Sequence, residues 1–449
     1  MKKRFLFINP PVLVADPYQE DLYAEAIPFG LIQIATSIAH QGNEVELLDM
    51  AGYPDVGLGK VMMPENRYAT KPLGDNGSRA RRDLFLYGRS MKWLRKRLAR
   101  MREPDEIWVT CCISFNYEPA HEVIEICKEY FPETLIRFGG FYPSLFPDHA
   151  KKSGADYVHV GQYLPSMEVF PSLDLVEQTP PIWIFRLVLG CKYRCSFCIN
   201  SFYRSEQVKD PENVADEIVK IYERYGIKIF SNWDPNIMLR ADVLENFLDA
   251  MIERGSPVEI KFEMGIQPDR LNVRLAKKMQ KAGVRHMTIP FESSEPLMMK
   301  RFGKPYRMDD SMNAVAMCRD MGFDTSRFHC TSVVGIRDES YRHVFRTYLG
   351  ILKAGGHPTP FPLTPTPGTR EYKFHHEFLD GKDLSELNGH LWPTLGSIEK
   401  IKLYDLMYQI INQPDAQKAK KLSKLLPREA KTEFDDAFDW YCEGPWQLG

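Results

Sequence analysis

Short apolar runs alternate with stretches of helical periodicity through most of the chain. From residue 4 to about 174, runs at 4–8, 44–49, 106–112, 135–138 and 157–160 have the length and the aromatic and β-branched content of buried strands. Between them, 31–40 and 119–131 carry apolar residues at helical spacing; the first opens on Pro28-Phe29-Gly30 and ends at Gln41-Gly42-Asn43. Strands and helices alternating this way predict an open parallel sheet covered on both faces. A second series follows, with strands at 183–189, 228–232, 258–264, 286–291, 327–334 and 359–363 and helices near 211–225, 241–254, 272–282, 308–321 and 340–354. Six such units predict a partial (β/α)6 barrel, whose chemistry belongs at the carboxyl ends of its strands. After about 386 the beat stops, and helices at 398–412, 416–426 and 430–441 are expected to cap the open side of the barrel. The chain therefore reads as α/β: a Rossmann-like domain over 1–174, a barrel over 175–385 and a small C-terminal helical cap over 386–449. The Pro-rich stretch 163–182, with Pro165, Pro171, Pro180 and Pro181, is the expected linker.

Residues 51–104 interrupt the first series. The stretch 62–77 is rich in Pro, Gly and Asn and reads as a long loop. Arg79, Arg81, Arg82, Arg89, Lys92, Arg95, Lys96, Arg97, Arg100 and Arg102 follow, with Trp93, Leu94, Leu98 and Met101 beside them at helical spacing. The favoured reading is a sheet-packing helix with a solvated outer face; peripheral contact with anionic lipid or a phosphate-rich partner is the other.

Composition narrows the class. The 449 residues suffice for two or three domains, and 44% hydrophobic with 26% charged is ordinary for a globular protein. A net charge of -2 offers no global field for nucleic acid. No apolar run approaches the roughly 18–20 residues of a membrane span, and the apolar residues Phe5 to Ile8 before Asn9-Pro10-Pro11 are too few for a signal peptide. Nine cysteines, an odd number, suit reduced thiols and a cytoplasmic location. Cys111 and Cys112 end an apolar strand and are expected in the core; Cys330 reads as a buried thiol.

Three of the nine stand apart. Cys191, Cys195 and Cys198, in Cys-x3-Cys-x2-Cys spacing, follow the apolar run 183–189 and so lie on the loop leaving its carboxyl end. Thiolates suit zinc or iron–sulfur clusters. A closed zinc site wants four ligands, and no second Cys-x2-Cys half lies nearby. Three thiols without an obvious fourth suggest a [4Fe–4S] cluster with one iron open to a small molecule; a three-cysteine zinc knuckle and three buried thiols are the competing readings.

The triplet, with Phe197 before its last cysteine, resembles the signature of the radical S-adenosylmethionine (SAM) enzymes. The resemblance implies an open iron that binds the amino and carboxylate groups of SAM, and a reduced cluster that splits SAM into methionine and a 5′-deoxyadenosyl radical. Within the barrel it implies SAM contacts at Phe197, at Asn232 and Asp234 in Ser231-Asn232-Trp233-Asp234-Pro235-Asn236, at Glu292 and Ser293 after the fourth strand, and at Val334, Gly335 and Ile336 after the fifth. The turn Pro362-Leu363-Thr364-Pro365-Thr366-Pro367-Gly368-Thr369 is similar to that of the cobalamin-linked branch. His286 reads as structural; His329 is a candidate for proton transfer, and Tyr203 and Arg204 for positioning SAM or substrate.

The first domain resembles the cobalamin-binding domain that precedes the barrel in many of these enzymes. Matching pieces are Asn9-Pro10-Pro11, Pro28-Phe29-Gly30-Leu31, the loop from Ser114 to Tyr117, Gly139-Gly140 before Tyr142-Pro143, and Val160-Gly161-Gln162. The resemblance implies cobalamin contacts at Pro10, Pro11, Ser114, Tyr117, Gly139, Gly140, Gly161 and Gln162. The Asp-x-His-x-x-Gly motif that ligates cobalt elsewhere is absent, since Asp148-His149 lacks the spacing, and Gln162 stands where an acid is common. The implied function is a cobalamin-dependent methyltransferase acting on an unactivated carbon of a small molecule or lipid precursor, with an electron donor such as flavodoxin or ferredoxin. A radical SAM cyclase, dehydratase or C–C bond former is the alternative, and a non-enzymatic iron–sulfur or cobalamin sensor the remote one. No catalytic residue beyond the cofactor contacts is assigned.

Overall fold

The structure, a computed structural model, describes residues 2–14, 27–51, 62–68, 84–163, 169–202 and 206–444. Arg79, Arg81, Arg82, Pro165, Tyr203, Arg204 and Trp446 lie outside the described residues. The chain divides into two compact units: Met1–Pro180 with Lys382–Leu391, and Pro181–Gly381 with Trp392–Gly449. The division thus falls at Pro180 rather than at 174, and a short segment beyond the barrel strands packs with the first unit.

In the first unit the described elements run β1 (Arg4–Asn9), β2 (Val12–Val14), α1 (Phe29–His40), β3 (Glu44–Asp49), β4 (Met62–Tyr68), β5 (Leu84–Tyr87), α2 (Met91–Leu98), β6 (Glu106–Thr110), α3 (Tyr117–Tyr130), β7 (Leu135–Gly139), α4 (Phe141–Leu145) and β8 (Tyr157–Val158). The expected parallel sheet is present, in order β3-β1-β6-β7-β8. Counting only its own strands, this is the 2-1-3-4-5 order whose switch point, between β1 and β6, is where such sheets take ligands. Helices cover both faces. Phe5 and Phe7 pack against Leu31, Ala35 and Ile38 of α1, while Leu6, Ile8, Ile107 and Val109 face Val123, Ile124 and Cys127 of α3. The basic stretch forms α2, with Met91, Leu94 and Leu98 buried and an ion-paired outer face: Arg95 with Glu129, Arg97 with Glu46.

Three expectations are corrected here. Met62–Tyr68 is a strand, not a loop, and β2, β5 and β4 make a small antiparallel sheet. Cys111 is buried, but Cys112, two residues past the strand, is exposed. Residues 169–175 do not hang free as a linker: Thr36 Oγ1 accepts the Ser172 N–H at 2.8 Å and Gln33 donates to the Val169 carbonyl at 3.0 Å, both from α1.

The second unit is a six-stranded parallel sheet in sequential order: β9 (Ile182–Phe185), β12 (Ile229–Asn232), β13 (Glu259–Phe262), β14 (Val284–Glu292), β15 (His329–Val334) and β16 (His357–Pro362). This is the partial barrel that the strand beat predicts. Its helices α5 (Pro211–Tyr225), α6 (Ala241–Glu253), α7 (Val273–Lys281), α8 (Pro296–Phe302), α9 (Met308–Asp320) and α10 (Tyr341–Ala354) follow in turn. Asp210 caps α5, its carboxylate accepting the N–H groups of Glu212 and Asn213, and Pro211 stands at the first helical position. Pro358, Pro360 and Pro362 are tolerated in β16 because it is an edge strand with no ladder partner on its outer side. The expected first strand is broken after Phe185: β10 (Val188–Leu189) turns away and pairs antiparallel with β11 (Gln207–Val208).

The C-terminal helices α12 (Ile398–Ile411), α13 (Ala416–Leu422) and α14 (Arg428–Cys442) are where periodicity predicts them, after the short helix α11 (Arg370–Phe374). They pack on the outer helix α10, with Phe345 against Phe434 at 5.1 Å and Tyr348 and Leu349 in the same cluster. Among the described residues no helix is long and apolar enough to cross a membrane.

Candidate functional site

The break between β9 and β10 makes the cysteine loop. Pairing of Val188 with Val208 and Leu189 with Gln207 closes the base of the loop that starts at Gly190. Asp234, from the end of β12, props this base: it is 1% exposed and its Oδ1 accepts the Leu187 N–H at 2.9 Å. Burial pushes its carboxyl up to about 6, against the pull of the Leu187 and Val188 amides and the Asn232 side chain. Asp234 therefore buttresses the strand that carries the thiols rather than reaching outward.

Cys191, Cys195 and Cys198 are neighbours whose thiols burial pushes above the usual range, with Lys304 pulling the other way on all three. Metal ligation would release their protons. Among the described residues, the one group of three or more His, Cys, Asp and Glu ligand atoms all within 4.8 Å of one another lies elsewhere, so at least one pair of the three sulfurs stands further apart than that. A single tetrahedral zinc with bonds of about 2.3 Å would hold its sulfurs about 3.8 Å apart. Soft donors so spread fit a cluster better than one ion.

The loop is clamped from behind. Ser196, 2% exposed, donates to Glu371 Oε1 at 2.7 Å, and its N–H meets the Phe302 carbonyl at 3.0 Å. Glu371, 1% exposed, is also paired with Arg301, and its own N–H returns to the Ser196 carbonyl at 3.1 Å. Arg370 reaches the Arg194 carbonyl at 2.8 Å. Phe197 stands edge-on to Phe302 at 5.1 Å, with the Lys304 ammonium 5.2 Å from its ring. None of Arg301, Lys304 or Glu371 was foreseen. They lie in or just after α8, or just after the Pro-rich turn, and no local pattern in the chain links either to the cysteines.

Lys304 joins the thiols to the end of β14. Its Nζ lies 2.7 Å from Glu292 Oε1, both side chains buried. Glu292 has φ +58, a left-handed conformation that costs a non-glycine residue about 1–2 kcal/mol. Such strain is typical of functional positions. Ser293 turns its hydroxyl to the Glu295 N–H at 3.1 Å and Ser294 to His343, so both brace the turn. After β12, Asn232 Nδ2 and Asn236 Oδ1 are buried without a hydrogen-bond partner, the mark of a place that takes a ligand.

The turn after β15 is held from within. Glu339 accepts the N–H groups of Gly335 at 2.6 Å and Ile336 at 3.0 Å, while Thr394 donates to the Gly335 carbonyl and Leu363 N–H to that of Val334. Burial pushes the Glu339 carboxyl up to about 7. Gly335 has φ +81, and an added Cβ would lie 2.7 Å from the Trp392 ring, so no other residue fits. The backbone donors expected to face an adenine are thus engaged by Glu339, while the turn's shape is fixed.

At the carboxyl edge of the first unit's sheet, Pro10 and Pro11 are buried and Leu13 N–H binds Asn116 Oδ1 at 2.9 Å, tying the loop after β1 to the loop after β6. Gly140, φ +113, has no room for a Cβ, which would lie 2.4 Å from the Cys111 carbonyl. Gly161 has nothing within 4 Å of such a position, and Gly139 only the His159 Cβ at 3.7 Å. Ile113 and Val160 are exposed beside them. An apolar, glycine-floored edge at a switch point fits a large flat ligand. Ser114 and Gln162 are half-buried on this edge. Tyr117 is not free: its hydroxyl donates to Asp383 at 2.9 Å, and it packs on His121 and His149. His149 is itself held by Tyr142 at 2.6 Å, so it is no cobalt ligand in waiting.

Comparison with known proteins follows this geometry. Residues 186–349 match the model of the radical SAM superfamily, so the chain carries a radical SAM domain. It is 27% identical over 186 residues to the anaerobic magnesium-protoporphyrin IX monomethyl ester cyclase of Cereibacter sphaeroides, covering 39% of this chain and 30% of that one. It is 22% identical over 242 residues to an uncharacterized methyltransferase of Pyrococcus horikoshii, covering 53% and 51%. The chain thus spans about half or less of the length of these relatives. Among solved structures, the radical SAM methyltransferase TsrM from Kitasatospora setae, with cobalamin and a [4Fe–4S] cluster bound, aligns with a TM-score of 0.59 at 15% identity, over 85% of this chain and 79% of that one. The cobalamin-dependent radical SAM enzyme OxsB, with aqua-cobalamin and SAM bound, gives 0.53 at 14%, over 89% and 58%. The two-part α/β fold is therefore shared with both.

Proposed function

We propose that this chain, built around a radical SAM domain, is a cobalamin-dependent radical SAM methyltransferase acting on an unactivated carbon of a small molecule or lipid precursor. The observation that carries the reading is the set of three neighbouring thiols on a clamped loop at the carboxyl edge of a partial barrel, facing the Lys304–Glu292 pair. Cys191, Cys195 and Cys198 would hold a [4Fe–4S] cluster. Bound there and reduced, the cluster supplies the electron that splits SAM. Glu292 offers its second carboxylate oxygen to SAM hydroxyl or ammonium groups, Lys304 offsets the negative charge of the thiolates, and Asn232 and Asn236 supply unspent polar atoms. The buried Gly335 turn sets the wall on the adenosine side.

Cobalamin is supported by the carboxyl edge of the first unit's sheet, where Pro10, Pro11 and Ile113 flank the switch point and Gly161 leaves open space beside Val160. The residues that would carry it are Pro10, Pro11, Ser114, Gly139, Gly140, Gly161 and Gln162. Tyr117 belongs to their support, since Asp383 already takes its hydroxyl. No His ligand is offered from the missing motif, so the chain's contribution is shape and exclusion of water. An external one-electron donor such as flavodoxin or ferredoxin completes the set.

The likeness to the protoporphyrin ester cyclase over 39% of the chain supports a second reading, a radical SAM enzyme of another reaction class. Product mass separates the two: a gain of one methylene unit supports methylation, while loss of hydrogen without that gain supports cyclisation.

A further inference from the structure

Register places Lys261 beside His286, Thr288 beside His329, and His329 beside His357. Side chains paired this way in a parallel sheet share a face. The opposite face, with Met287, Ile289, Phe291 and Cys330, is fully buried, and Cys330 Sγ lies against the space beside Val315 of α9 and Ile351 of α10. The helices therefore cover that side, and the polar row lines the concave inside of the barrel. Glu263, the residue after β13, joins the row.

Glu263, His286 and His329 bring one carboxylate oxygen and two imidazole nitrogens within 4.8 Å of one another. His286 Nε2 lies 3.3 Å and His329 Nδ1 3.9 Å from the same oxygen, Glu263 Oε2. The two rings stand perpendicular at 4.4 Å. His286 is 4% exposed, yet its Nε2 makes no hydrogen bond: it is aimed at the shared oxygen without the alignment a hydrogen bond needs. Two imidazoles converging on one carboxylate oxygen have the geometry of ligands. Bonds of about 2.1 Å at tetrahedral angles set ligand atoms about 3.4 Å apart. The first separation matches, and the second closes by about half an ångström. Lys261 Nζ, 3.7 Å from Glu263 Oε1, orients the carboxylate so that Oε2 faces the imidazoles. The half-exposed His329 leaves one side of the trio open to the lumen.

We propose that Glu263, His286 and His329 form a mononuclear metal site, separate from the cysteine loop, for a divalent ion of the zinc or ferrous class. Two imidazoles and one carboxylate occupy one hemisphere of the ion, and the open positions accept an oxygen donor such as a carboxylate, carbonyl or hydroxyl of the substrate. The site stands independently of the cluster and of the reaction class.

The test is zinc absorption spectroscopy on cluster-loaded protein given one equivalent of zinc. The expected result is a first shell of nitrogen and oxygen with imidazole scattering and no sulfur. A sulfur shell would put the zinc on the cysteines and overturn the proposal, as would failure to retain zinc. As a second arm, the Cys191→Ala, Cys195→Ala, Cys198→Ala variant is titrated with cobalt(II), expected to bind one equivalent with visible ligand-field bands. Adding His329→Ala, at a half-exposed position that a fold tolerates, should weaken cobalt binding by more than about tenfold. Unchanged affinity rejects the site. Cobalt binding is read without SAM cleavage, so failure here leaves the radical reading untouched, and failure of the radical reading leaves this one standing.

Discussion

At the scale of single residues, the Lys304–Glu292 pair is the most exposed to test. Both side chains are buried, 13% and 6% exposed, so removing one partner strands the other. Lys304→Met should cost about 3–5 kcal/mol in urea unfolding of the apoprotein, and a Lys304→Met, Glu292→Met double variant should recover much of it. Because Glu292 sits at φ +58, Glu292→Gly should be more stable than Glu292→Ala by about 1 kcal/mol, measured the same way. Asp234 makes a pH prediction. Its folded pKa, about 6, lies above the ordinary aspartate value, so the folded state holds the proton more tightly between those two values. Stability from this group therefore rises as pH falls from 7 to 4. The gap in melting temperature between the native protein and Asp234→Asn should move in the native protein's favour over that window, by an amount equivalent to about 2–3 kcal/mol. A gap that does not change with pH would contradict the assigned burial. These residues differ in how they could be read beforehand. Glu292 and Asp234 follow strands that apolar periodicity marks, so their place at a carboxyl edge was legible. Their strain and burial were not, because both depend on partners far along the chain.

At the scale of elements, the loops are shaped by close backbone approach. Gly140→Ala places a Cβ 2.4 Å from the Cys111 carbonyl at a positive φ and should destabilise the first unit by more than about 2 kcal/mol; Gly161→Ala, with open space above it, should cost less unless cobalamin is bound. Comparing their effects on unfolding and on hydroxocobalamin titration separates folding from binding. Strand beat and helix periodicity marked nearly every element that forms the two sheets, since each is a local pattern. The clamp on the cysteine loop escaped because Ser196 and Glu371 are 175 positions apart and meet only after the barrel strands are assembled. The break of the first barrel strand into β9 and β10 escaped for a related reason: the run Trp183 to Leu189 is apolar apart from Arg186, and only the pairing of β10 with β11 tells its two parts apart. The C-terminal helices were visible as helices, while the surface they choose, α10, is a matter of packing that periodicity does not encode.

At the scale of the molecule, the chain brings a five-stranded parallel-sheet unit and a radical SAM barrel into one polypeptide. The segment Lys382–Leu391, which leaves the second unit to pack with the first and supplies Asp383 to Tyr117, could not be foreseen from a series of strands and helices. Fold class was legible because both series alternate strand and helix patterns, while the strand orders, one reordered about its first strand and one sequential, appear only in the assembled sheets. The chemistry was legible because three thiols in a tight spacing have few uses. The measurement that tests this most directly is 5′-deoxyadenosine formation from SAM by anaerobically reconstituted, dithionite-reduced protein. The native chain should release it, and substitution of Cys191, Cys195 or Cys198 by Ala should reduce release to background. A native protein with a full complement of iron and sulfide that yields none, or a Cys195→Ala variant that yields as much as the native chain, would contradict the account.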